Sequence, residues 1–253
     1  MPNFNGEKYI SKSIEFFLKQ KYIHKELIIM DGKSTDKSYQ IINSFMNENS
    51  NIFWIKYIDL GISDAFNKGI DIAQGEIIGY LGSDDLLYEN ILEEIAYHSQ
   101  WCDFDAIYFD SYTYYIQDKK CILRTCPKLE FTKENLLSYG TIVGGQDIFF
   151  KKNVYDKHRY DVDNKYSMDY EFYLRISQEK YLYLYVNKVA TINIFDGNIS
   201  TDTDGKQFME SCAVAKKYSL DYVGSIYFSP INSISKIKSK IKLLLKYLKS
   251  FYK

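Results

Sequence analysis

The sequence predicts an α/β fold with a mostly parallel sheet flanked by helices. Apolar, β-prone segments alternate with stretches of helical spacing through the first half of the chain, the pattern of strand–helix–strand units. Three of the strand-like segments run into aspartate: 28–30 into Asp31, 55–58 into Asp59, and 77–83 into Asp84 and Asp85. In an open parallel sheet, ligands bind in the crevice outside the carboxyl ends of the strands. Carboxylates gathered there suit a hard divalent cation and a ligand rich in hydroxyls and phosphate. A chain of 253 residues with 46% hydrophobic content is long enough for one large domain, or a domain with an appendage.

The elements follow in order. Residues 7–19 place Ile10, Ile14, Phe17 and Leu18 at helical spacing. Ser34, Thr35 and Asp36 offer N-cap chemistry for a helix over 37–47. A third helix is predicted over 63–73, stopping near Gly75, and a fourth over 90–97. The second half changes character, with extended chain over 106–116, a short helix over 133–138 and a strand over 147–150. A helix over 168–178 carries Asp169 and Glu171 near its start, and a strand over 182–194 leads to a turn at Asp196, Gly197 and Asn198. A sheet of this kind normally begins with a buried strand, yet residues 1–6 read as the turn after one. Either another segment fills that slot, or the polypeptide starts upstream.

Charge and cysteine usage exclude several classes. The net charge is −1, but residues 232–253 hold seven lysines and no acid, which leaves the rest of the chain eight charges negative. Such an acidic body argues against a nucleic-acid platform, which needs a basic face to replace phosphate counterions. Cys102, Cys121, Cys126 and Cys212 lack metal-site spacing and, without a signal peptide, read as reduced thiols of a cytoplasmic protein. No apolar run reaches the roughly 18–20 residues needed to span a bilayer. The 25 tyrosines accompany abundant Lys, Ile and Asn, a bias better explained by an AT-rich genome than by use.

Asp84 and Asp85 stand where an apolar strand empties into a loop. Adjacent carboxylates at such a position hold Mg²⁺ or Mn²⁺ and bond a ribose hydroxyl or a metal-bound water; taken alone, the pair reads equally as a solvated turn. The flanking segments decide. Pro2, Phe4 and Asn5 match P-x-[YF]-N; Asp31, Ser34 and Asp36 match D-x-x-S-x-D; Asp59, Gly61, Ile62, Asp64, Ala65, Asn67 and Gly69 match D-x-G-[IL]-x-D-A-x-N-x-G; and Ser83, Asp84 and Asp85 match the acidic strand-end motif called DXD. Four motifs in this order resemble the family 2 glycosyltransferases of the GT-A fold, in the bacterial branch that builds surface polysaccharides, over roughly residues 2–200.

The resemblance implies a metal-dependent, inverting enzyme of hexosyl- or N-acetylhexosaminyltransferase type. It would move a sugar from a nucleotide donor, UDP-linked by expectation, to a lipid-linked or surface-glycan acceptor. Residues 1–100 would form the donor-binding half and 101–220 the acceptor-binding half of one domain, with 221–253 a basic tail. Pro2, Phe4 and Asn5 would line the donor site, Asp31 would bond the uracil, Asp84 the ribose or sugar, and Asp85 the Mn²⁺ or Mg²⁺ that bridges the diphosphate. Ser83 replaces the usual Asp or Asn. Asp64 and Asn67 would shape the donor pocket, or cap and pack their helix. The segment 166–175 matches the family's (E/x)-D-x-x-x-x-x-R, which makes Asp169 the general base and Glu171 its understudy; helix capping is the plainer role for Asp169. Gly145 and Gln146 stand where the family often has His-Gln. None of His24, His98 and His158 falls at a family ligand position.

The tail over 233–253 places Ile234, Ile237, Ile241, Leu244, Leu245, Leu248 and Phe251 at helical spacing among lysines. A basic amphipathic helix suits an anionic membrane surface, or it packs its stripe on the domain. Lipid-linked acceptors favour the membrane, at its cytoplasmic face. A truncated or degenerate, non-catalytic member serving as partner in a glycan-assembly complex is the alternative, motivated by the absent strand, Ser83 and Gly145. A nucleotidyltransferase would bring a Gly-rich, basic loop near its start, and the sequence has none there.

Overall fold

The computed structural model describes residues 1–58, 60–196 and 205–219. Asp59, the turn residues Gly197 and Asn198, and the amphipathic tail over 233–253 lie outside the described residues.

Two sheets organise the chain. In the first, β1 (Pro2–Asn3), β2 (Leu27–Asp31) and β3 (Ile52–Lys56) lie in that order and pair in parallel, Asn3 opposite Asp31 and Asp31 opposite Lys56. In the second, the order is β4 (Ile77–Gly79), β8 (Ile148–Lys151), β6 (Ala106–Tyr115), β9 (Tyr183–Phe195), β5 (Leu86–Leu87), with β7 (Lys120–Arg124) beside β6. Only β6 and β9 pair in parallel there; the other pairings are antiparallel. The predicted α/β class holds, while parallel pairing is concentrated in the first sheet and at the centre of the second. The register of β6 on β9 shifts around Asp110, a bulge that bends the long strand.

The helices form where apolar spacing dictates. Helix α1 (Ile10–Leu18) buries Ile10, Ile14, Phe16 and Phe17. It starts later than predicted because residues 5–7 are drawn into a turn clipped to the next loop. Helix α2 (Ser38–Glu48) begins where the Asp36 carboxylate accepts from the Ser38 amide at 2.9 Å. Helices α3 (Ile62–Ile72) and α4 (Ile91–Trp101) follow. Helix α5 (Lys133–Tyr139) is capped by Thr132 and stopped by Gly140, whose φ of 77° suits glycine. Helix α6 (Lys152–Lys157) leads to α7 (Met168–Ile176), and α8 (Lys206–Tyr218), not foreseen from the sequence, packs on α7.

Helix α7 is the anchor for the second half. Phe172, Tyr173, Leu174 and Ile176 are fully buried, each worth roughly 1.5–3 kcal/mol by area. Glu210 of α8 accepts from the backbone amides of Lys165, Tyr166 and Ser167, and so satisfies donors at the entrance to α7.

The slot for a first strand is filled only at its end. Pro2 and Asn3 pair with Met30 and Asp31, and the Met1 amine donates to the Ile28 carbonyl at 2.8 Å. Beyond them lies a cavity of about 740 Å³ lined by Leu27, Ile28 and Met30 on one side and Ile77, Ile78 and Tyr80 on the other. Among the described residues no other segment occupies it.

Candidate active site

Five chain segments converge at the carboxyl ends of the strands. The turn after β1 and the loop after β2 are clipped together by reciprocal hydrogen bonds. The Ser34 hydroxyl accepts from the Asn5 amide at 2.8 Å, the Asn5 side chain from the Thr35 amide at 2.9 Å, Asp36 from Glu7, and Glu7 from Lys37. Asn5 adopts φ 51°, a left-handed value that asparagine tolerates. Pro2 holds the strand end and Phe4 is exposed on the surface.

Asp31 sits at the predicted strand end, but its carboxylate is engaged within the protein. It accepts from the Ser34 amide at 2.6 Å, from Trp54 Nε1 at 3.3 Å and from Asn3 Nδ2 at 3.3 Å, and only 1% of the residue is exposed. In this arrangement Asp31 fixes the loop after β2 at the strand end. Asp64 likewise turns inward, accepting from the Leu60 amide and Lys68 at the start of its own helix. Asn67 clamps the Tyr160 backbone through both its amide atoms, at 2.8 and 2.9 Å. Asp64 thus closes the turn at the start of α3, and Asn67 fastens α3 to the segment that leads into α7.

The acid pair is built around a glycine. A β-carbon on Gly82 would stand 2.8 Å from an Asp84 oxygen and 2.7 Å from an Asp85 oxygen. Both carboxylates therefore fold over the same bare backbone. Asp85 is buried; it accepts from Gln146 Nε2 at 2.9 Å and from the Ile194 amide at 3.2 Å. Burial, and then the charge of Asp84, push its carboxyl well above the ordinary carboxylate range, only partly opposed by those hydrogen bonds. A carboxylate has about four acceptor positions; the Gly82 backbone supplies a third hydrogen bond, and one position remains for a cation. Magnesium and manganese need only one or two protein carboxylates when substrate phosphates complete their shell. Among the described residues there is no cluster of three or more acidic, His or Cys ligands, and the two-carboxylate donor set at Gly82 fits that mode. Ser83 lies beside the first turn, its hydroxyl 3.2 Å from where a Gly6 β-carbon would stand, and its carbonyl accepts from Ser13. Gly82→Ala is expected to displace both carboxylates and to weaken Mn²⁺-dependent ligand binding at least tenfold with little loss of helix content, measured by calorimetry and circular dichroism.

Asp169 stands in the first turn of α7. The Tyr80 hydroxyl donates to its Oδ2 at 3.4 Å, while its Oδ1 is buried and has no hydrogen-bond partner among the described residues. Burial raises the Asp169 carboxyl to about 6, with the Tyr80 hydrogen bond opposing the shift. Glu171, two residues on, is occupied differently: Arg175 donates to both its oxygens at 3.1 and 2.9 Å, and the Tyr218 hydroxyl at 2.8 Å. Glu171 thus ties α7 to α8, and Asp169 is the acid of the two that keeps an unmet oxygen.

Gly145 and Gln146 connect the two acidic centres, since Gln146 reaches Asp85 and Gly145 abuts Tyr80 and Asp169. Sequence reasoning passed over Tyr80 and Asp147. Asp147, buried, donates its amide to the Gly144 carbonyl and accepts from Thr191; burial raises its carboxyl to about 7. Its hydrogen bonds pin the turn that carries Gln146.

Residues 1–181 match the family model described as glycosyl transferase family 2. A glycosyltransferase of Streptococcus pneumoniae, GlyG, is 34% identical over 115 residues, 45% of this chain and 38% of that protein. A PGL/p-HBAD biosynthesis glycosyltransferase of Mycobacterium tuberculosis is 26% identical over 233 residues, 88% of this chain and 86% of its own length. The chain spans less than two thirds of several other relatives, such as 62% of a Methanocaldococcus jannaschii glycosyltransferase. Among solved structures, S. aureus TarS 1-349 in complex with UDP-GlcNAc superimposes with a TM-score of 0.70 at 16% identity, over 89% of this chain and 66% of that one. The mannosyltransferase PcManGT of Pyrobaculum calidifontis, in complex with GDP-Man and Mn²⁺, gives 0.63 at 16% identity, over 85% and 62%. The architecture is the GT-A fold, and with the family model matched over most of its length the chain belongs to glycosyl transferase family 2.

Proposed function

We propose that this chain is a metal-assisted, inverting glycosyltransferase that takes a sugar from a nucleotide donor, UDP-linked, and passes it to a glycan or lipid-linked acceptor hydroxyl. The observation that carries the reading is a pair of acidic centres joined by the Gly145–Gln146 turn. Asp84 and Asp85 fold over Gly82, and Asp169 keeps an unmet oxygen. The UDP-GlcNAc of the TarS complex and the GDP-Man and Mn²⁺ of the PcManGT complex support a nucleotide-sugar donor and a divalent cation here.

In this reading the donor lies over residues 1–100, with Pro2, Phe4 and Asn5 at its rim, and the acceptor meets it from 101–220. Asp84 and Ser83 contact the donor, and Asp85 holds Mn²⁺ or Mg²⁺. The bound cation neutralises charge that develops on the leaving diphosphate. Asp169 removes the proton from the acceptor hydroxyl as that oxygen bonds the anomeric carbon. The bond from that carbon to the diphosphate oxygen breaks, and its electron pair leaves with UDP. A carboxyl at about 6 suits the task, being mostly ionised at neutral pH yet more basic than an ordinary aspartate. Glu171 supports by fixing α7.

Titration of UDP into the chain with and without Mn²⁺ tests the reading. Metal-dependent, micromolar binding supports it. Absence of binding favours a non-catalytic member acting within a glycan-assembly complex. Among the described residues no helix is long and apolar enough to cross a membrane; attachment of the basic tail to an anionic membrane, at the cytoplasmic face, belongs to this proposal and is checked by vesicle co-sedimentation.

A further inference from the structure

We propose that Tyr80 is a positioning residue for Asp169, its hydroxyl holding Oδ2 so that Oδ1 is left to take the acceptor's proton, and that Gly145 is glycine to make room for it. This inference rests on the reading of Asp169 as the base.

The geometry is a three-part fit. Tyr80 follows β4 by one residue, on the same strand exit that ends in the acid pair. Its ring packs on Phe66 at 4.2 Å between centroids, which fixes the hydroxyl's direction. That hydroxyl meets Asp169 Oδ2, and the other carboxylate oxygen is buried without a partner. A buried, half-satisfied carboxylate is costly and in native structures calls for a reason; a substrate hydroxyl supplies one. A β-carbon on Gly145 would lie 2.3 Å from Tyr80 Cε1, 2.5 Å from its hydroxyl and 2.7 Å from Asp169 Oδ2. Any side chain at 145 would enter the space in which tyrosine and aspartate meet. The space that a side chain at 145 would need is taken by Tyr80, which arrives from another strand.

Tyr80 acts as a donor. Burial, then the charges of Asp169, Asp85 and Asp147, hold its phenol well above the usual tyrosine range, so it stays protonated wherever Asp169 titrates. The other titratable groups facing Asp169 are the phenols of Tyr155 on α6, of Tyr160 before α7 and of Tyr173 on α7 itself. All three are neutral in the same pH range, which leaves the Tyr80 hydrogen bond as the specific stabiliser of the ionised carboxylate.

Tyr80→Phe keeps the ring and removes the hydroxyl. Its kcat is expected to fall five- to twentyfold with the donor KM unchanged, and the acidic limb of its kcat profile to move to higher pH by half a unit or more. In the Asp169→Asn background the same substitution should cost nothing further. Gly145→Ala drives the pair apart by another route and should reproduce the shift without adding to it in the double variant. An unshifted limb, an equal loss in the Asp169→Asn background, or a loss confined to KM would overturn the proposal. A ¹³C-carboxyl NMR titration, with Asp169 assigned by its absence in Asp169→Asn, reads the pairing without turnover. If the wild type transfers no sugar, the glycosyltransferase reading fails, while the NMR shift between wild type and Tyr80→Phe still decides whether Tyr80 holds Asp169.

Discussion

Asp169→Asn is expected to leave UDP binding unchanged and to lower turnover by roughly 10²–10⁴-fold, the range for loss of a general base. The amide has the shape of the carboxylate and can still accept from Tyr80, so α7, anchored by four fully buried side chains, keeps its place. Only the capacity to take a proton is gone. Asp85→Asn should behave in the opposite way. It removes charge from the centre built over Gly82, so metal-dependent binding is lost before chemistry is reached. Turnover of the wild type should rise with pH through about 6 as Asp169 ionises, and this limb should vanish in the Asp169→Asn residual rate. Equal loss of UDP binding in the two variants, or a wild-type rate flat from pH 5 to 7, would sink the division of roles.

The parts of this site that the sequence made legible are those whose chemistry is local. An apolar run that stops at an acid reads as a strand end, and Asp31 closes β2; the strand predicted over 77–83 ends at Gly79, and Asp84 and Asp85 lie in the loop between β4 and β5. The spacing of Asp169 and Arg175 marked α7, and the structure places both within it. The second predicted strand slipped, falling at 55–58 where β3 is Ile52–Lys56, because residues 52–58 are β-prone throughout and the boundary is set by pairing with β2. Side-chain engagement was out of reach. That Asp31 is held from a second strand depends on Trp54, and that Glu171 is committed depends on Tyr218 from a helix that no motif announced. Tyr80 was invisible for the same reason: a tyrosine at a strand exit is unremarkable until Gly145 leaves it a place to go.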